Sequence, residues 1–557
     1  MAQSKRRTYR YHIDFTSALL FLLVFCVLAL IFTFAKGCDV MFYAGFPMLT
    51  AALLGAVSFF GVDAYVEEQT ALRLQRGRIR DAMQILRSTL EISLTAGALA
   101  ALVFGVFGTG LSEAVFEIGK IAPVYRAFLP AMVLELPLGC LTGFLRGIGQ
   151  KRLARMGIWM VTALFLVLSL VCGFYWSYRG IKVGVLLQND DMSSIYCGCG
   201  VAMGLNLAVI VTLIVLAFLS WIHAGRLRPS MRGKTGVIYE ETDRLEGEGR
   251  VLRYSILRLF PAAFLVTVPF LGIVIGYRFW VGGQSVAAIL TSVWGGFMGI
   301  GLTVPAMSAL ILALPMTSMA GRLVRDHAAG KERTMNTRLS MLLRLSAYLS
   351  IPWSVFCFGA ANEIVAMFPN LTVRGRMAAV MTVKYGCVLV FLLQMLILMG
   401  YFYWNCRQQR ALILSAAIGF FAQIIALVVM SNLGLGIVML ILSVDIYCAV
   451  DLLVMYILGR QEMLRNLSGA WMIDDGLIAV CALIAVIPIE FLNDYLIEVL
   501  PGAAAFLVAA LVYVVLYILC SILLKAADLR NVEKLPGGGI VVSLAYILGA
   551  VHEDEDD

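Results

Sequence analysis

Charged side chains inside long apolar runs are the residues of this sequence with the most conspicuous chemistry. Glu135 lies in MVLELPLG, two residues before Pro137, and Asp445 and Asp451 lie in SVDIYCAVDLL. Arg258 stands in ILRLFPAAF, three residues before Pro261; Lys384 is inside MTVKYGCV; Arg126 and Arg278 flank apolar runs. A carboxylate in such a place can carry a proton or hold a sodium ion, whereas a guanidinium offers forked donors to a phosphate. An unpaired ionised group at the centre of a bilayer costs at least about 3 kcal/mol, so each is a functional candidate by default. The competing readings are salt bridges between helices for the carboxylates and Lys384, and snorkelling to the interface for the arginines. Asp445 and Asp451 are separated by about 240 degrees around a helical wheel and so do not share a face. Asp63 and Glu91 lie nearer a membrane edge, where they would hold a gate closed or meet water.

The elements that position these residues follow from composition. Of 557 residues, 61% are hydrophobic and 14% charged, and the mean hydropathy is +0.90, which is the composition of an integral membrane protein. About fourteen runs are long enough to cross a hydrocarbon core as helices. They lie near Phe15 to Ala35, Met41 to Val62, Ile85 to Phe107, Val124 to Leu145, Met156 to Phe174 and Val201 to Ile222. The others lie near Ile256 to Tyr277, Val286 to Met319, Met341 to Met367, Ala378 to Trp404, Leu412 to Met430, Gly436 to Leu458, Gly476 to Ile497 and Ala504 to Leu524. The fold class expected is all-α and polytopic. The first run exceeds a signal-peptide core and is read as the first spanning helix. In the eighth, Gly295, Gly296, Gly299 and Gly301 before Pro305 predict a broken helix that would act as a hinge, with close helix packing as the plainer reading.

Cations sort onto alternate connections. Lys5 to Arg10, the stretch RLQRGRIRDAMQILR, Arg146 to Arg155, Arg226 to Lys234, Arg322 to Arg338, Arg407 and Arg410, Arg460 and Arg465, and Lys525 to Lys534 share one side. The positive-inside rule makes that side cytoplasmic, with both chain ends inside. The arginine-rich RLQRGRIRDAMQILR is therefore read as a topology signal and not as a nucleic-acid patch, while basic connections also attract anionic lipid head groups.

Several enzyme and cofactor classes find no support. Cys197 and Cys199 lack the second pair or histidines of a zinc site, and the remaining cysteines lie mainly in apolar runs. Gly233-Lys234-Thr235 would end a phosphate-binding loop, but its leading position is Arg228 and no strand precedes it. A glycosyltransferase or ligase would need a carboxylate or metal-binding cluster on a sizeable loop, and none is present. No resident cofactor is expected; protons or sodium are the candidate coupling ions.

The halves echo one another. RLxR followed by a Gly-basic-x-Arg element occurs at Arg73 to Arg80 and again at Arg322 to Arg333; GFLRGIGQKR after the fourth run pairs with GYFYWNCRQQR after the tenth. Offsets of about 253 and 258 positions imply two lobes of about six helices and an extra pair. The expected divisions are 1–223 for the first lobe, 224–253 for a cytoplasmic connector, 254–460 for the second lobe, 461–530 for the extra pair and 531–557 for a cytoplasmic tail.

On these segments the chain resembles the multidrug/oligosaccharidyl-lipid/polysaccharide exporter superfamily, closest to its branch of lipid II flippases and stage V sporulation protein B-like polysaccharide exporters. The resemblance implies two six-helix lobes around a central cavity, two terminal helices that form a lipid-facing groove, and export of undecaprenyl-pyrophosphate-linked sugars by alternating access. It implies that Arg258, on a cavity-lining helix, grips phosphate, with Arg126, Arg278 and Lys384 extending a positive path. In this branch the first helix commonly adds arginines; FTSALLFLLVFCVLALIFTFA has none, a departure that weakens lipid II as the particular substrate. The expected partners are a lipid-linked sugar, membrane lipids and synthases of polysaccharide or cell wall, with no nucleic acid. The alternatives are a cation-coupled multidrug exporter using Glu135, Asp445 and Asp451, and a scaffold subunit of a polysaccharide synthase.

Overall fold

The computed structural model describes residues 15–75, 79–106, 119–232, 264–265, 267–269, 271–281, 287–462, 470–499, 501–524, 539 and 542–543. Among them every regular element is helical. Among the described residues, twelve helices are long and apolar enough to cross a membrane, and two shorter apolar helices, Thr267–Val281 and Gly476–Leu492, fall at the seventh and thirteenth expected positions. The chain forms two compact units, 1–28 with 39–274, and 29–38 with 275–557.

In the first unit, the start of α1 (Phe15–Lys36) joins α2 (Cys38–Val57), α3 (Asp63–Gln75), α4 (Ile79–Val106), α5 (Ala122–Gly147), α6 (Lys151–Leu187) and α7 (Met192–Arg232). A π-helical turn, Ser58–Val62, links α2 to α3, so the second span runs on to Gln75, well past its apolar part. Aromatic rings knit α1 to its neighbours: Phe21 meets Phe59 at 5.2 Å and Phe25 meets Phe165 at 4.7 Å between centroids. The α6–α7 seam is lined with small residues. Ser169 donates to the Val201 carbonyl at 3.0 Å, and a Cβ at Gly200 would stand 2.5 Å from the Cys172 carbonyl oxygen. Without an attractive term from water, such close backbone approach is how helices gain contact energy in lipid.

In the second unit, α8 (Ala287–Gly296) and α9 (Thr303–Ala328) are joined by a second π turn, Phe297–Gly301. The glycine-rich stretch thus stays helical with wider hydrogen bonding and does not break. Then come α10 (Glu332–Gly359), α11 (Ala361–Ala366), α12 (Val373–Tyr385), α13 (Val388–Asn405), α14 (Gln409–Asn432), α15 (Val438–Glu462), α16 (Ala470–Val499) and α17 (Gly502–Leu523). The expected tenth run is two helices meeting at Gly386–Cys387, and the Ser354 hydroxyl donates to the Cys387 carbonyl at 2.5 Å. The end of α1 belongs to this unit: Asn370 donates to the carbonyls of Phe34 and Ala35 at 3.0 and 3.3 Å, satisfying acceptors at the helix C-terminus.

The terminal pair α16–α17 is fixed to α10 by tyrosines. Pro352 has no N–H for the Tyr348 carbonyl one turn back, and the Tyr517 hydroxyl supplies the missing donor at 3.1 Å. Tyr513 donates to the Pro352 carbonyl itself at 2.7 Å, and Tyr348 and Ser521 hydroxyls lie 3.2 Å apart.

Candidate functional site

The polar chemistry of the first unit collects where α5 packs on α2, α3 and their π turn. Toward the C-terminal end of α5, Arg146 Nη1 lies 2.8 Å from Asp63 Oδ2 with side chains 6% and 1% exposed, and Lys151 Nζ lies 3.9 Å from buried Glu67. Glycines bring the helices this close. A Cβ at Gly143 would collide with the Asp63 backbone, and one at Gly147 would stand 2.6 Å from the Thr70 side chain. Asp63 is accordingly one half of a buried ion pair joining α3 to α5. Glu91, by contrast, is exposed and pairs with Arg87 at 3.0 Å.

Glu135 sits eight residues before Gly143 on the same helix, between Pro130 and Pro137, and is 1% exposed. Neither carboxyl oxygen has a hydrogen-bond partner among the described residues. Its backbone is engaged instead: the Ser58 hydroxyl donates to the Glu135 carbonyl at 2.5 Å and accepts from the Gly139 N–H at 3.0 Å.

The second unit holds a different arrangement. Asp451 on α15 lies in hydrogen-bonding reach of Ser415 on α14 and of Tyr447, and Gly419 leaves room for the Asp451 Cβ 3.3 Å from where its own would stand. One turn along α14, Gln423 is wholly buried with neither amide atom bonded among the described residues. Asp445, 7% exposed, has two carboxyl oxygens that likewise lack a partner among them, and it lies near Cys387 at the joint of α12 and α13. Asp445 and Asp451 therefore look to different neighbours. Such a set offers oxygens to a cation or a carboxylate to a proton. Among the described residues, no three His, Cys, Asp or Glu side chains converge as a metal site.

The basic candidates are dispersed. Arg258 lies outside the described residues. Arg126 is exposed near the start of α5, and Arg278 is exposed on the short helix Thr267–Val281. Lys384, half-buried on α12, places its ammonium 4.7 Å from the centre of the Phe358 ring. The glycines of the eighth run are packed tightly: Gly295 abuts the Cys38 backbone, Gly301 the Thr382 hydroxyl, and a Cβ at Gly296 would stand 2.5 Å from the Gly375 carbonyl oxygen. Gly299 and Pro305 are buried beside them. Ser58 and Asn206 escape sequence reasoning because single neutral polar residues are common in spanning helices; their bonds to the α5 backbone beside Pro137 and Pro130 emerge only from the packing.

No family model and no curated protein matches the sequence. Solved structures do match. The lipid II flippase MurJ in an inward closed conformation aligns with a TM-score of 0.62 at 11% identity, covering 92% of this chain and 97% of that one. An inward-facing multidrug resistance MATE family transporter of the MOP superfamily aligns at 0.56 and 14%, covering 81% and 96%. The eukaryotic MATE transporter AtDTX14 aligns at 0.56 and 11%, covering 83% and 97%. At these identities the likeness is one of fold: the chain shares the all-helical, multi-pass membrane fold of these solved transporters.

Proposed function

We propose that this protein is an alternating-access exporter that moves a lipid-linked oligosaccharide, a precursor of cell wall or another envelope polysaccharide, across the cytoplasmic membrane. The observation that carries the choice of substrate class is the terminal pair α16–α17. The alignment to a lipid II flippase takes in 92% of this chain, whereas the MATE transporters take in 81–83%. The pair is anchored to α10 through Tyr513, Tyr517 and Ser521, so it moves with a helix of the second unit. A substrate with a long lipid tail must keep that tail in hydrocarbon while its charged head crosses, and an additional lipid-facing pair beside a lobe serves that need. The head would be met by cations, with Arg258, Arg126, Arg278 and Lys384 as the candidates.

A second reading is a cation-coupled exporter of drug-like compounds. It is favoured by the carboxylates of Glu135 and Asp445, which lack hydrogen-bond partners among the described residues; these would also couple the first reading to protons or sodium. Both readings have the chain ends in the cytoplasm and allow association with a polysaccharide synthase, and neither assigns a chemical transformation to the chain.

Depletion in the native cell distinguishes them. The first reading expects a lipid-linked sugar to accumulate on the inner leaflet. Absence of accumulation together with drug sensitivity and cation-dependent efflux would replace it with the second. Within the first reading, Arg258→Ala is expected to lower flipping at unchanged expression.

A further inference from the structure

Helix α5 stays continuous, but side chains of its neighbours engage its backbone at two places, and its one interior acid stands at the second. Pro130 and Pro137 remove two backbone donors. Beside the first, the Asn206 carboxamide from α7 accepts from the Ala131 N–H and donates to the Ala127 carbonyl, both at 2.8 Å. Beside the second, the Ser58 hydroxyl donates to the Glu135 carbonyl at 2.5 Å and accepts from the Gly139 N–H at 3.0 Å. In a regular helix each of these carbonyls would bond to that N–H four residues on. Between the two places the Val133 carbonyl, deprived of a donor by Pro137, faces Gly97 of α4, where a Cβ would stand 2.7 Å away. A helix whose ladder bonds are lent to neighbours bends where they are lent. Ser58 is also the first residue of a π turn, so both partners at this joint depart from regular α geometry.

Glu135 occupies this joint with its carboxyl buried and, among the described residues, unbonded. The groups facing α5 do not balance a charge there. From α3, Asp63 is bound to Arg146, which lies about 16 Å further along α5. From α4 come the hydroxyls of Thr89 and Ser93, which bond to carbonyls of their own helix, and the exposed Glu91–Arg87 pair. The Cys140 thiol of α5 lies 2.9 Å from Ser93. From α7 comes Asn206, its amide already used, and α6 has no charged residue between Met156 and Phe174. A lone carboxylate in such surroundings is costly, and the neutral acid is the form this packing accommodates. A metal cation would need several converging oxygens, but the oxygens flanking Glu135 in the ladder, its own carbonyl and the Ser58 hydroxyl, are engaged with each other.

We propose that Glu135 is a proton-binding site that operates a hinge at the Ser58–Gly139 joint. With its proton, the acid is packed against the closed seam of the π turn and α5. When the proton passes to water, the carboxylate requires hydration, and the seam opens at the bonds already lent to Ser58. The proposal rests on the exporter reading only for its coupling to transport.

The test uses the full-length protein in lipid nanodiscs, labelled with carbon-13 glutamate so that glutamic and aspartic acids separate in the infrared. A pH titration follows the labelled carboxylic-acid stretch while hydrogen exchange, corrected for intrinsic rates, follows α5. The expected result is a glutamic-acid band that disappears as pH rises, accompanied by faster exchange around Ala131 and Gly139. Both changes are lost in Glu135→Gln; in Glu135→Asp the titrating band moves to the unlabelled aspartic-acid region and the exchange response of α5 is retained. A band that titrates unchanged in Glu135→Gln, or an α5 that does not respond to pH in the wild type, overturns the proposal. So does a response that follows sodium at constant pH. If Glu135→Gln does not fold, wild type and Glu135→Asp decide, since the proposal requires the titrating pH to differ between them. In vesicles supplied with a lipid-linked oligosaccharide, pH-dependent flipping becomes pH-independent in Glu135→Gln. Absence of flipping at any pH, with the band and hinge response intact, counts against the exporter reading and leaves the proton site standing.

Discussion

Arg146→Ala is expected to destabilise the first helical unit severely. The guanidinium lies 2.8 Å from Asp63 Oδ2, and the two side chains are 6% and 1% exposed, so neither charge is screened by water. Removing one partner of a buried pair leaves the other uncompensated, at a cost of about 3–5 kcal/mol. That corresponds to a loss of roughly two to four powers of ten in the folded-to-unfolded ratio. Replacing both residues, as in Asp63→Leu with Arg146→Met, removes the stranded charge and is expected to restore most of the loss, since apolar substitutes for such pairs are often neutral or better. Lys151→Ala provides the contrast. Its ammonium lies 3.9 Å from Glu67 and is 54% exposed, so screening limits the cost to about 1 kcal/mol or less. Denaturant titration of the wild type and the three variants in micelles, followed by helical signal and monodisperse yield, measures the coupling. A loss for Arg146→Ala no larger than that for Lys151→Ala, or a double variant no more stable than the weaker single one, would refute the assignment.

Other outcomes follow from the packing. Gly143→Val places side-chain atoms against the Asp63 backbone and should cost about 1–3 kcal/mol, whereas Gly476→Ala meets nothing within 4 Å on α16 and should leave melting temperature unchanged or raised. Tyr513→Phe removes the donor to the buried Pro352 carbonyl and should cost about 1–3 kcal/mol, read as earlier proteolysis or hydrogen exchange of α17. Asp445→Asn should leave stability unchanged or improved, because its oxygens have no partner among the described residues, while altering the pH or sodium dependence of export. A less stable variant with unaltered ion dependence would contradict that role.

The helices were legible because each requires only a long apolar run, and cations on alternate connections give them an orientation. Their ends were less so. The second span continues from Val62 to Gln75 through residues such as Asp63, Glu67 and Glu68 that look water-exposed in sequence but are buried against α5. The same burial makes Asp63 an ion-pair partner, since no local pattern reveals that Arg146, 83 positions away, meets it. GGFMGIG announced irregularity correctly in place, but whether glycines break a helix or admit a close neighbour depends on what packs there, and here Cys38, Gly375 and Thr382 do. Glu135 stood out as a lone acid in an apolar run. That its joint is closed by Ser58, about 80 positions earlier, is a property of the contact between the π turn and α5, which sequence does not display.

The central claim is that lipid-linked oligosaccharide crosses the bilayer through this protein. The most direct measurement reconstitutes the purified chain in proteoliposomes carrying a fluorescent polyprenyl-pyrophosphate oligosaccharide and follows its exposure to a membrane-impermeant, sugar-cleaving enzyme. Export predicts that the protected half of the substrate becomes accessible in protein-containing vesicles and remains protected in empty ones. Equal protection in both, with the protein folded and inserted, would contradict the account.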